Sequence, residues 1–159
     1  KSRQVKKPVL KDLLLKGNAI ATTSVLVRKG LLVQIGGMDE SVKMIAAEDY
    51  NTWLRIAQLT DNFFHVPKSL GYYLFHAGGA SRKNMEGLLQ AVCKEFMYLL
   101  GPQEKVICEA TGRYTAALNY YYFGKASIAR KSLPYSIRYG SLPIKAKSLL
   151  LYIILTVKF

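Results

Sequence analysis

The sequence predicts an α/β domain over its first half, followed by a basic helical extension. Between residues 18 and 76, short runs rich in β-branched and aromatic residues alternate with stretches of helical spacing. From about Asn84 onward, four helical segments follow one another, separated by Gly and Pro. We therefore expect two parts, residues 1–82 and residues 83–159.

Local signals place the first elements of the α/β part. Leucines on one side of the chain and Pro8 near the start predict a short helix that ends at Gly17. Residues 20–28 are rich in Thr and Val and predict a strand. The segment 29–34 predicts a short helix, which the glycine pair at 36–37 ends.

The next elements complete a small mixed sheet in this prediction. Apolar residues recur at helical spacing from Ala47 to Leu59, so a helix is expected there. Residues 63–66 and 70–76 are predicted as short strands, separated by Pro67. Three strands are few for an independent sheet, so we expect an unpaired sheet edge in this part.

The second part reads as consecutive helices. The predicted ranges are 85–100, 103–123, 125–139 and 142–157, with Gly and Pro at their boundaries. The second and third resemble one helical hairpin of the tetratricopeptide kind, although a single copy does not define an array.

Charge is distributed unevenly along the chain. The net charge is +13, and residues 110–159 carry +8 of it because they contain no Asp or Glu. Such a segment requires either an anionic partner or a well-solvated face. Nucleic acid is not favoured as the partner, because the basic residues are dispersed and no nucleic-acid-binding motif is present.

The last predicted helix is amphipathic, with Lys145 near its start and apolar residues such as Leu150 and Ile153 on one side. This pattern predicts docking on an anionic membrane surface. The alternative is a helix packed on the domain with solvated lysines. The apolar run 149–157 is too short to span a bilayer.

Three sequence blocks carry the functional signal. The first runs from Asn18 to Arg28 and the second comprises 35–40 with 48–55, read as IGGMDE and EDYNTWLR. The third is HVPKSLGYYLFH, residues 65–76. In this order and spacing they resemble the acceptor-side, C-terminal half of family 2 glycosyltransferases with the GT-A fold, over about residues 10–82.

The resemblance implies an inverting transfer of a sugar from a nucleotide-diphosphate donor to a hydroxyl acceptor. A sugar or lipid-linked acceptor, a role in cell-envelope or surface polysaccharide synthesis, and a location on the cytoplasmic face of the plasma membrane are expected with it. The full-length parent is expected to use Mg²⁺ or Mn²⁺. This chain contains no D-x-D metal motif, so the donor-binding half is expected outside it and the chain alone is expected to be inactive.

Asp49 is the predicted catalytic base. Inverting transfer needs one carboxylate to take the proton from the attacking hydroxyl. Asp49 lies at a predicted helix start, where the helix dipole favours the ionised form and neighbouring Glu48 opposes it. The alternative is that both carboxylates only cap the helix.

The remaining predicted site residues have structural alternatives as well. Glu48, Trp53, Asp39 and Glu40 are expected to contact the acceptor, with Trp53 as a pocket wall one turn after Asp49. Turn chemistry equally explains the acidic pair at 39–40. His76 is expected near the diphosphate or its metal, and otherwise is a structural histidine.

The chain departs from the family pattern at three places. Met38 replaces the usual Phe, Asn51-Thr52 replaces an acidic or apolar pair, and Leu74 replaces an Arg expected near the diphosphate.

The alternative function is a non-enzymatic helical interaction module with a basic, membrane-facing surface.

Overall fold

The computed structural model describes residues 3–69, 71 and 85–157, and these residues form helices joined by turns and irregular segments. The chain divides into two compact units, Lys1–His76 and Ala77–Phe159. Each unit has its own buried residues.

Among the described residues, the first unit contains three α-helices. They are α1 (Val9–Lys16), α2 (Lys29–Gln34) and α3 (Glu48–Leu59). Two short 3₁₀ turns, Thr22–Ser24 and Val42–Met44, precede α2 and α3 respectively. The bounds of α2 coincide with the predicted helix at 29–34, and α3 begins one residue after the predicted start.

Helix α1 packs against α3 and forms the core of this unit. Leu13 and Leu14 of α1 and Leu54 of α3 are almost completely buried. The hydroxyl of Tyr50 donates a hydrogen bond of 2.9 Å to the carbonyl of Leu13, which satisfies a polar group inside this interface. The Asp61 carboxylate, just after α3, accepts the backbone N–H of Val9 at 2.7 Å, so the end of α3 is joined to the start of α1.

The predicted α/β fold with a partial GT-A sheet is wrong, because the described residues are helical and include no strand. Residues 20–28 contain a 3₁₀ turn followed by extended backbone at Val25 (φ −115°, ψ 136°), and the side chain of Leu26 is fully exposed. Residues 63–66 form no strand either, and 70–76 lies outside the described residues apart from Gly71. β-Branched composition favours extended backbone, but a strand also requires a paired neighbour. No described segment supplies that neighbour.

The second unit is a series of helices joined by short connections. They are α4 (Met85–Phe96), α5 (Pro102–Tyr122), α6 (Ala126–Tyr139) and α7 (Leu142–Val157), with a 3₁₀ turn at Met97–Leu99 after α4. The helices predicted after Asn84 are therefore confirmed, with each boundary within one residue except the end of α4, which lies four residues before the predicted end because a 3₁₀ turn follows it.

Small residues let α5 and α6 approach closely. Ala116 and Ala117 of α5 and Ala129 of α6 are fully buried in a cluster that also includes Leu133 and Leu151. The Ser136 hydroxyl donates to the Ala110 carbonyl at 2.7 Å across the buried interface. Within the described ranges, no helix has both the length and the apolar content needed to cross a bilayer.

Candidate active site

Asp49 is the second residue of α3 and uses both carboxylate oxygens. Oδ2 accepts a hydrogen bond of 3.0 Å from the hydroxyl of Thr22, and Oδ1 accepts one of 2.6 Å from the backbone N–H of Tyr50. The residue that caps α3 is Ala47, whose side chain makes no capping bond. One oxygen of Asp49 therefore serves the first turn of the helix, whereas the other binds a side chain 27 residues earlier in the sequence.

Burial raises the pKa of the Asp49 carboxyl above its ordinary value, and the adjacent charge of Glu48 adds to that rise. Hydrogen bonds from Thr22, the Tyr50 backbone and Asn18 lower it, but they do not cancel the effect of burial. The helix start was expected to favour the ionised form of Asp49 and so to lower its pKa, but in the structure burial outweighs this effect and the pKa is raised. A raised pKa makes a carboxylate a stronger base, which suits removal of a hydroxyl proton.

Two further residues of α3 hold the earlier sequence blocks in place. The indole N–H of Trp53 donates to the carbonyl of Ile20 at 3.2 Å. Arg55 donates from Nη1 to the carbonyl of Ile35 and from Nη2 to that of Gly37, each at 2.8 Å. The first block is therefore bonded to α3 through Asp49 and Trp53, and the 35–40 part of the second block is bonded to α3 through Arg55.

Trp53 lies inside the first unit, with 4% of its side chain exposed. Its ring packs within the core, and its one polar group is used by the bond to Ile20. The structure thus gives Trp53 a clear positioning role. Its predicted contact with the acceptor stays a prediction.

Glu48 is half-buried beside Asp49. Its Oε2 atom is shielded from solvent and has no hydrogen-bond partner in the described structure. A shielded carboxylate oxygen without a donor is costly, so a donor from a ligand would satisfy it. An acceptor hydroxyl is one such donor.

The backbone just before this helix is unusual. Ala46 has a positive φ of 78°, which side-chain-bearing residues rarely adopt. Strained backbone of this kind persists where the surrounding structure enforces it, and it occurs frequently at functional sites. It places the start of α3 directly after a sharp change of chain direction.

Asp39 and Glu40 lie in the turn that follows Gly37, and Glu40 is exposed to solvent. Oδ1 of Asp39 accepts the backbone N–H of Ser41 at 2.8 Å. That bond is the main reason why the pKa of Asp39 is lowered, with the Ser41 hydroxyl and the Arg55 charge adding to the effect. This geometry supports the turn role, while Arg55 connects the turn to α3.

The described residues contain no complete set of ligands for the predicted metal ion. They contain no group of three or more His, Cys, Asp or Glu side chains arranged to hold an ion. His76, the predicted diphosphate or metal contact, lies outside the described residues.

Sequence reasoning missed two polar groups of the site. Thr22 and Asn18 both bond the Asp49 side chain. Both belong to the first sequence block, so their position within the motif was the available signal, but nothing in local spacing connects them to residue 49.

A separate cavity of about 230 Å³ lies between α4 and α5 in the second unit. Its lining includes the buried, reduced thiols of Cys93 and Cys108. The hydrogen bond between the two thiols, together with burial, raises the pKa of Cys108, so that this thiol stays protonated. None of the predicted site residues that the structure describes lines this cavity.

Comparison with protein families decides the assignment. The family model described as "Glycosyltransferase like family 2" matches residues 3–107, about two thirds of the chain. The chain belongs to this glycosyltransferase family. The matched region contains Asp49 and all three sequence blocks, and it extends through α4 into the start of α5. No curated protein and no solved structure matches the glycosyltransferase chain.

Proposed function

We propose that this glycosyltransferase contributes the acceptor side of an inverting enzyme in which Asp49 is the catalytic base. The observation that carries the proposal is the half-buried carboxylate of Asp49, held by Thr22 and raised in pKa, in a chain of this family. A carboxylate in that state is suited to take a proton from a hydroxyl at neutral pH.

The proposed step is a single displacement. The acceptor oxygen attacks the anomeric carbon of the donor sugar while its proton passes to an oxygen of Asp49. The bond from the anomeric carbon to the diphosphate oxygen breaks, and the nucleoside diphosphate leaves with that electron pair. Attack opposite the leaving group inverts the anomeric centre. The Oε2 atom of Glu48, which has no hydrogen-bond partner in the described structure, is proposed to accept a hydrogen bond from a hydroxyl group of the acceptor.

The donor is proposed to be a nucleotide-diphosphate sugar bound by residues outside this chain, because no D-x-D occurs in its sequence. Any Mg²⁺ or Mn²⁺ of the parent enzyme is proposed to bind there too, with His76 of this chain near the diphosphate or its metal. A sugar or lipid-linked acceptor, from cell-envelope or surface polysaccharide synthesis, completes the proposal. A peripheral location on the cytoplasmic face of the plasma membrane is proposed for the same enzyme.

The test compares two Asp-to-Asn variants in the full-length parent. Asp49→Asn retains an oxygen for the Tyr50 N–H but cannot accept a proton, so the transfer rate should fall roughly 100-fold or more. Asp61→Asn is the matched control, since Asp61 likewise accepts a backbone N–H, that of Val9, and Asn can replace it there. Asp61→Asn should transfer sugar at close to the wild-type rate.

Donor affinity and folding are measured alongside the rate. Folding of each variant is measured in the 159-residue chain, where Trp53 is the single tryptophan and is buried in the same unit, so its fluorescence reports whether that unit is folded. Donor affinity should hardly change in either variant. A folded Asp49→Asn enzyme with a near wild-type rate would show that Asp49 only stabilises the helix start.

A further inference from the structure

In the part of the chain that the structure describes, helix α7 has two apolar faces, of which only one is covered. Its covered face packs within the second unit and consists of Ile144, Ser148, Leu151 and Leu155, all buried. The opposite face is exposed and consists of five large apolar residues, with exposed fractions in parentheses: Leu142 (84%), Leu149 (49%), Leu150 (61%), Ile153 (49%) and Val157 (79%). We refer to these five residues as the α7 stripe.

The α7 stripe is continuous along the helix. At about 100° per residue, its members occupy an arc of roughly 100°, and Ala146 falls inside the same arc. The buried residues of α7 centre on the opposite side of the helix. An exposed, contiguous apolar stripe of this kind indicates an interaction surface, because such patches often mark contacts with a protein or a membrane.

Lysines border the stripe on both sides. Around the helix, Lys145 lies beyond one edge of the stripe and Lys147 lies beyond the other, and Lys147 is exposed. The surrounding sequence has no compensating charge, since residues 110–159 carry +8 and contain no acidic residue. An apolar stripe with cations on both flanks is the pattern of helices that lie in the plane of a membrane surface.

Charge also decides against a second copy of the chain as the occupant. Two stripes packed face to face would bring the lysine borders of both copies together, and like charges at an interface oppose association. An anionic lipid surface offers the opposite charge and an apolar interior.

We propose that the α7 stripe inserts into the headgroup boundary of an anionic membrane while Lys145 and Lys147 contact lipid headgroups. The proposal rests on the peripheral membrane location proposed above, and it identifies the surface responsible. It does not depend on the catalytic role of Asp49, which lies in the other unit.

The experiment measures co-sedimentation of the chain with vesicles. One set contains phosphatidylcholine alone, and the other contains phosphatidylcholine with phosphatidylglycerol as about one third of the lipid. The wild-type chain should bind the anionic vesicles and lose binding as ionic strength rises. Equal binding to both sets, or binding to neither, would overturn the proposal.

Two isoleucine variants separate the stripe from general surface effects. Ile153→Asp places a charge in the stripe and should weaken vesicle binding by about tenfold or more. Ile128→Asp on α6 is the matched control, because Ile128 is 44% exposed and Ile153 is 49% exposed, and both variants change the net charge equally. The control should retain most of the binding. Equal losses in the two variants would refute a role for the stripe.

A lysine pair tests the border in the same way. Lys147→Gln should weaken binding by about fivefold, the effect of one basic residue near an anionic surface, and the exposed Lys131→Gln on α6 should weaken it less. The oligomeric state is measured without vesicles. A dimer that Ile153→Asp converts to a monomer would assign the stripe to a second copy and overturn the membrane proposal.

The outcome is distinguishable from that of the catalytic test. Asp49→Asn should bind vesicles like the wild-type chain, and Ile153→Asp in the full-length parent should transfer sugar to a soluble acceptor at the wild-type rate. Loss of vesicle binding with intact transfer therefore concerns the stripe alone.

Discussion

Replacing Arg55 tests the bond between α3 and the turn that carries Asp39. Arg55 makes two charge-assisted hydrogen bonds of 2.8 Å to backbone carbonyls, those of Ile35 and Gly37. Bonds from charged groups contribute about 1.5–3 kcal/mol each. Arg55 is half-buried, so the lower end applies, and Arg55→Ala should lower the free energy of unfolding by about 3 kcal/mol.

Arg55→Lys gives a sharper test of the same geometry. A lysine retains the charge but reaches only one of the two carbonyls, since it lacks the planar fork of the guanidinium. The expected loss is therefore about 1.5 kcal/mol, half the effect of the alanine variant. Arg28→Lys is the matched control, because Arg28 is an exposed arginine of the same unit. That control should leave the stability within about 0.5 kcal/mol of the wild type.

Urea denaturation followed by Trp53 fluorescence measures these changes. Because Trp53 is the chain's only tryptophan and is buried in the first unit, the signal reports unfolding of that unit. The reasoning is refuted if Arg55→Lys leaves the transition unchanged, or if Arg28→Lys shifts it equally. In the full-length parent, Arg55→Lys should also lower the transfer rate, because the turn is then less firmly held against α3.

Two further pairs of variants test the site and the second unit. Thr22→Val removes a hydrogen bond that lowers the pKa of Asp49, so the pKa of Asp49 should rise further. The acidic limb of the pH–rate profile should therefore move to higher pH, because Asp49 becomes protonated, and activity is lost, at a higher pH. The neighbouring Thr23→Val is the control and should leave the pH–rate profile unchanged. Gly140→Ala should destabilise the second unit by about 1–3 kcal/mol, because its Cβ would lie 2.6 Å from the carbonyl oxygen of Ser136. Gly112→Ala, where a Cβ has open space inside α5, should instead stabilise it by about 0.5–1 kcal/mol in thermal unfolding followed by circular dichroism. An unshifted profile in Thr22→Val, or equal effects of the two glycine variants, would contradict these arguments.

Helices were predictable wherever the signal was local. Helix α2 and the helices from α4 to α7 follow from apolar spacing and from Gly or Pro at their ends, which are properties of neighbouring residues. The strands predicted at 20–28 and 63–66 were wrong because strand formation depends on a partner elsewhere in the chain. Val25 is extended as its residue type favours, yet no described segment pairs with it.

The candidate site shows the same division. Asp49 was located at a helix start by the sequence motif, and the structure places it there. Its partner Thr22 and its raised pKa were not predictable, since burial and a contact across 27 residues arise only after folding. Trp53 was expected to face a ligand, and its bond to Ile20 inside the core became visible only in the structure.

The sequence by itself determined the family signature, the helix positions and the accumulation of positive charge in the last 50 residues, because each of these is a property of residue order and composition. Tertiary structure alone decided the helical fold class, the groups that surround Asp49, and which face of α7 is covered. The physical reason is that burial, hydrogen bonding and pKa depend on which distant segments meet. Leu151 and Ile153 are equally apolar neighbours on one helix, and only packing against the rest of the unit buries the first and leaves the second exposed.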